Sequence, residues 1–163
     1  MHQYGKRVLI VMGICLLVFS CSDLIAPSVP LEKLREAALV IEIQGRQYTL
    51  ETYLWRDFMP GGNAGGSDLM AVIDITAVDK LPFPAEIDSS RLWVLKGEEV
   101  WETGFSEEQR PPDQAHLYQL RKIARNGPRW DTGIQVEVVV KVTSLGGTSY
   151  LLRAAKQTIG ATY

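Results

Sequence analysis

The chain has 163 residues, with 17 basic and 19 acidic side chains and a formal net charge of −2. That length suits one domain with a real hydrophobic core. The acidic balance argues against nucleic-acid phosphates as partners.

Lys6 and Arg7 precede an apolar run, residues 8–19, broken only by Gly13 and ending in Val18-Phe19-Ser20-Cys21. The run is too short to span a bilayer and has the layout of a secretory signal peptide. Its last four residues resemble the lipobox of bacterial lipoproteins. The resemblance implies cleavage after Ser20 and acylation of the Cys21 thiol, each buried methylene contributing about 0.8 kcal/mol to membrane anchoring. Ser22 follows the cysteine where an Asp is absent, which by the same resemblance implies the outer membrane. Removal of residues 1–20 takes away Cys15 and His2. The remainder then has no disulfide and depends on burial for its stability.

Residues 21–30 contain two prolines and no periodicity, as a lipidated tether would, and residues 31–163 follow as a single domain. Residues 31–38 fit either one helical turn or the lead into a strand. Residues 39–43 and 48–58 flank Gly45-Arg46 and read as a β-hairpin. Residues 60–68 hold four glycines in nine positions, an exposed loop. Residues 69–79 alternate as a strand, and Leu81-Pro82-Phe83-Pro84 cannot continue a central ladder. Residues 91–95 and 99–105 form short strands about Lys96-Gly97, and residues 107–114 a charged loop. Residues 115–126 suit a helix or a strand, and the β surroundings favour the strand. Residues 134–143 alternate with period two, residues 150–155 return as their partner, and residues 158–163 form a tail or a final strand.

Seven or eight short strands separated by glycine and proline predict an all-β fold, an antiparallel immunoglobulin-like β-sandwich, with a small β-barrel as the alternative. The Cys–Trp–Cys signature of antibody domains is absent.

Few groups carry chemistry. After cleavage His116 is the only imidazole, so no zinc cluster is expected and no metal or cofactor is implied. Asp57 and Asp68 lack the spacing of a calcium loop. No Gly-x-Ser-x-Gly elbow surrounds a serine. Glu98, Glu99, Glu102, Glu107 and Glu108 read as a solvated face rather than a glycosidase pair. Of four tryptophans, Trp93 and Trp101 lie on neighbouring predicted strands and would form an apolar platform if exposed. Trp55 and Trp130 are further candidates, and core packing is the ordinary role for all four. Arg121, Lys122, Arg125 and Arg129 make a basic cluster that would attract anionic headgroups or an acidic partner, or pair with the acidic stretch.

These features predict a lipid-anchored envelope module, without catalysis, that presents its loops to an unidentified envelope protein. Its candidate binding residues are Gly61, Gly62, Asn63, Arg129, Trp130, Trp93 and Trp101. The glycine-rich loop and Gly127-Pro128-Arg129-Trp130 also resemble, without the full motif set, the loops of immunoglobulin-like peptidase inhibitors. Glycan binding or glycan hydrolysis is a third expectation.

Overall fold

The computed structural model describes residues 27–60 and 65–163. The signal-peptide and lipobox expectations, Cys21 included, lie outside the described residues, as do Gly61, Gly62 and Asn63. No helix among the described residues is long and apolar enough to cross a membrane.

One short helix, α1 (Leu31–Arg35), precedes nine strands: β1 (Val40–Ile43), β2 (Arg46–Asp57), β3 (Leu69–Ala77), β4 (Asp88–Lys96), β5 (Glu99–Thr103), β6 (Glu107–Gln109), β7 (Gln119–Gly127), β8 (Gln135–Thr143) and β9 (Ser149–Thr162). Hydrogen bonding orders them β5-β4-β8-β9-β2-β3-β7-β6, with β1 also on β2. The fold is nearly all β, as expected, in one curled sheet that forms a half-barrel.

It is not wholly antiparallel. The end of β9 pairs parallel to β2, Leu54 opposite Ile159 and Asp57 opposite Thr162. The cause is a corner. Residues 149–158 of β9 run antiparallel to β8, and the register slips between Val136 and Val138. Lys156 adopts φ 55° at that slip. Such a bulge bends the strand and raises its twist, which delivers residues 159–162 to β2. The chain turns a second corner at residues 104–106, stepping from β5 at one edge of the sheet to β6 at the other. Ser106 N–H bonds to the Ile123 carbonyl at 2.8 Å in that step.

Inward residues of both halves fill one core, with Tyr48, Ile73, Ile75, Leu92, Val140, Leu152 and Ile159 fully buried. A second cluster lies on the outer face of β4 and β8, where Leu34 and Ala37 cover Trp93, Leu95 and Val139. The α1 stretch therefore takes the helical alternative. Leu31 and Leu34 point to the sheet at helical spacing, and Glu32 early with Lys33 and Arg35 late complement the helix dipole. Ser28 ties the chain start down, its N–H and hydroxyl both donating to the Glu102 carboxylate at 2.8 and 2.6 Å.

Residues 119–127 form a strand, as the β surroundings suggested. Two expectations are corrected. The charged stretch at 107–109 is a three-residue edge strand rather than loop, because pairing with β7 holds it without any buried side chain. The tail is not a separate strand but continues β9 through the Lys156 bulge.

Candidate functional site

The end of the half-barrel where β2 and β7 finish is organised by Arg56. Its position on β2 shares the inward face with Leu54, and it is only 5% exposed. A guanidinium carries five N–H donors in a fixed fork and cannot shed its charge. Here it donates to backbone carbonyls: Nε to Ser67 at 2.8 Å, Nη2 to Gly65 at 2.5 Å, and Nη1 to Trp130 at 3.0 Å and Arg129 at 3.4 Å. No carboxylate pairs with it among the described residues. The Phe58 ring lies 5.0 Å below it.

The effect is to clamp two loops together, the glycine-rich loop after β2 and the Arg129-Trp130 loop after β7. Local geometry supports the first. Ser67 N–H bonds to the Asp57 carbonyl at 2.7 Å, and Ser67 Oγ accepts the Asp57 N–H at 2.8 Å. Gly66 sits at φ 83°, and a β-carbon there would fall 2.6 Å from Cε1 of Phe58. Only glycine lets the loop close onto that ring. Arg129 Nε adds an exposed bond to Asp68 at 2.8 Å. Two stretches far apart in sequence are thus brought side by side.

The tryptophans are arranged differently from the expected platform. Trp93 faces Glu102 across the ladder while Trp101 faces Val94. Neighbouring pairs of a ladder point to opposite sides, so the two rings are separated by the sheet. Trp93 is 1% exposed under α1, and Trp101 packs against the main core. Trp130 is also buried, its Nε1–H donating to Glu99 at 2.9 Å with Lys96 Nζ 5.5 Å from its ring. Those two hydrogen-bond partners, Lys96 first, hold the Glu99 carboxyl below its ordinary range. None of Trp93, Trp101 and Trp130 is an open platform.

The basic cluster is neutralised inside the domain. Arg121 forms a two-pronged pair with the buried Asp74, 2.7 Å on each prong, and that hydrogen bonding raises its pKa further. Arg125 pairs with Glu107 at 2.7 Å. Lys122, itself buried, bonds to Glu108 and lies 2.7 Å from Asp88, while Arg110 reaches Glu108 at 3.0 Å. This network joins β4 to β6 and β7. Lys122 and then, against the opposing pull of burial, Arg110 hold Glu108 below its ordinary pKa. Burial pushes Asp88 up, but the bonds from Lys122 and the Ser89 N–H, with the charges of Lys122 and Arg110, leave it lowered.

The acidic residues have structural partners too: Glu98 bonds to Arg35 and Glu102 to Ser28. Asp57 accepts from Met59 N–H and Thr162 Oγ1, so Asp57 and Asp68 are already engaged rather than arrayed around a cation. His116 Nδ1 lies 2.7 Å from Asp113 on an exposed loop, a contact that lowers the Asp113 pKa. No serine or threonine hydroxyl bonds to that ring among the described residues. No group of three metal-ligating side chains converges among them either.

Two features escaped the sequence. Arg56 read as one charged residue in a strand; its place on the inward face of an alternating segment was the available signal. The other was Tyr53, outward on β2 beside the tryptophan candidate Trp55. Tyr53 is 63% exposed, and both line a groove of about 650 Å³ beside β9. No family model, curated protein or solved structure matches this chain.

Proposed function

We propose that the chain is a binding module of the cell envelope, anchored to the outer membrane by a lipid on Cys21, which presents its clamped loop pair to an envelope protein and catalyses no reaction. The observation that carries this reading is the Arg56 clamp. A buried cation bonded to four loop carbonyls holds residues 65–67 and 129–130 together as one surface, which suits recognition rather than reaction. Ordered loops on a rigid β scaffold bind with less entropy lost. The anchor fits the geometry, since Ser28 is fastened to Glu102 only seven positions beyond Cys21. That tether spans at most about 25 Å, so the domain rides close to the bilayer.

For the architecture, the single continuous sheet and its two corners, at Lys156 and at residues 104–106, favour the small barrel over the immunoglobulin-like sandwich.

The test is deletion of residues 61–64 alongside Arg56→Met, each followed by capture of envelope partners. Both changes are expected to lose the partner captured by the wild type. Unchanged capture by both overturns loop presentation. A second reading, a loop-presented peptidase inhibitor, is favoured by the adjacency of the glycine-rich loop to the exposed Arg129. Inhibition of a serine and cysteine peptidase panel that Arg129→Ala abolishes would establish it.

A further inference from the structure

The outer face of the sheet carries a groove of about 650 Å³ where β9 parts from β2, within the size range of ligand sites. Its lining includes none of the described residues of the loop pair. Tyr53 and Trp55 are alternate residues of β2 and stand on one face about 7 Å apart. Exposure of Tyr53 in mid-strand, beside a partly buried tryptophan, leaves aromatic surface uncovered on a face of β2 whose other members are polar.

Polar groups line the same groove. Gln157 is fixed in place: its Oε1 accepts from Thr52 Oγ1 at 2.7 Å and its Nε2 donates to the Ala155 carbonyl at 2.7 Å. One amide hydrogen remains for a ligand. Arg121 uses Nε and Nη2 on Asp74, and its Nη1 has no partner among the described residues.

Charge selects the occupant. Among the described residues Arg121 is the only charged side chain in the lining, and Asp74, 3% exposed, already balances it. An anionic or cationic ligand would lose water without gaining a counter-ion. A neutral ring with an apolar C–H face and a rim of hydroxyls meets both halves of the groove, aromatic surface for the face and Gln157 with Arg121 for the rim. We infer that this groove binds a neutral saccharide, with Tyr53 and Trp55 as its platform.

Gly160 supplies a test that removes no contact group. It lines the groove, and a β-carbon there would lie 3.5 Å from the Leu54 carbonyl oxygen and 3.9 Å from Trp55 Cβ. Those are ordinary contact distances for a β-carbon, which would stand beside Trp55, so Gly160→Leu is expected to project its side chain into the groove. The full chain, in a non-glycosidic detergent, is titrated with chitotetraose, cellotetraose and maltotetraose and followed by calorimetry. Binding of at least one sugar at millimolar concentration or below is expected. Tyr53→Ala weakens it tenfold or more, Gly160→Leu abolishes it, and deletion of residues 61–64 leaves it unchanged. That last arm separates this site from the loop pair. No binding of any of the three sugars at millimolar concentration, or binding that survives Gly160→Leu, overturns the inference.

Discussion

The Trp101 indole occupies the space where a side chain on Gly127 would begin: a β-carbon there would lie 2.8 Å from both Cη2 and Cζ3 of the ring. This contact joins β5, at one edge of the curled sheet, to β7 near the other. Neither ring nor strand can yield easily, because Leu69 Cβ closes the same point at 2.9 Å. Gly127→Ala is therefore expected to cost about 1–3 kcal/mol, the range for an overfilled core. Urea denaturation of the single variants Gly127→Ala and Trp101→Leu, and of the double variant, checks the mechanism. The double variant should lose less than the two single changes together, since each relieves the other.

Arg56 makes a different kind of demand. Arg56→Met keeps much of the side-chain volume and leaves carbonyls of both loops without their donor. Loss of a charged donor to these buried and part-buried carbonyls should cost about 1.5–3 kcal/mol. Amide exchange should quicken in residues 65–67 and 129–130 while the β3 and β8 cores stay protected. Uniform exchange across the whole domain would mean that Arg56 supports the barrel rather than the loops.

Acid should loosen the Lys122 network first. Asp88 and Glu108 have pKa values below their ordinary ones in the fold. A carboxyl lowered on folding adds stability that is fully present above its unfolded pKa, near 4, and is lost as pH falls through the folded value. The denaturant midpoint should thus hold between about pH 7 and pH 5 and fall steadily below about pH 4. Lys122→Met should cost about 1–2 kcal/mol at pH 7, modest because both carboxylates face solvent, and should flatten the acid limb. A limb identical in wild type and variant would assign the pH dependence to other carboxyls such as Asp79, which Arg46 holds low.

The Ser28 tie predicts a local effect. Ser28→Ala removes a hydroxyl bond to Glu102, whose carboxyl is pushed up by burial yet kept lowered by the two Ser28 bonds. The cost should be about 0.5–1.5 kcal/mol. Limited proteolysis should then cut ahead of α1 sooner than in the wild type, with the rest of the domain unaffected.

Much of this was legible before the fold. The alternation of Val136, Val138, Val140 and Val142 marks β8 because one face is wholly buried, and the Gly45 turn marks the first hairpin. What failed did so for physical reasons. The three residues of β6 are all exposed, so hydrophobic pattern carries no trace of a strand held by backbone pairing alone. The bulge at Lys156 breaks period two in mid-strand and hides the continuity of β9. The faces of Trp93 and Trp101 depend on ladder register, and a shift of one residue exchanges them. The loop pair was visible as two separate stretches, yet only the fork of Arg56 explains why they meet.

We propose that an anchored domain offers its loop pair to a protein partner. The most direct measurement is in-cell photo-crosslinking from position 129, read by mass spectrometry, in the wild-type background and with Cys21→Ala. Capture of one discrete envelope protein from the anchored form, lost with Cys21→Ala, is the predicted result. A pattern with no discrete protein in either background would contradict it.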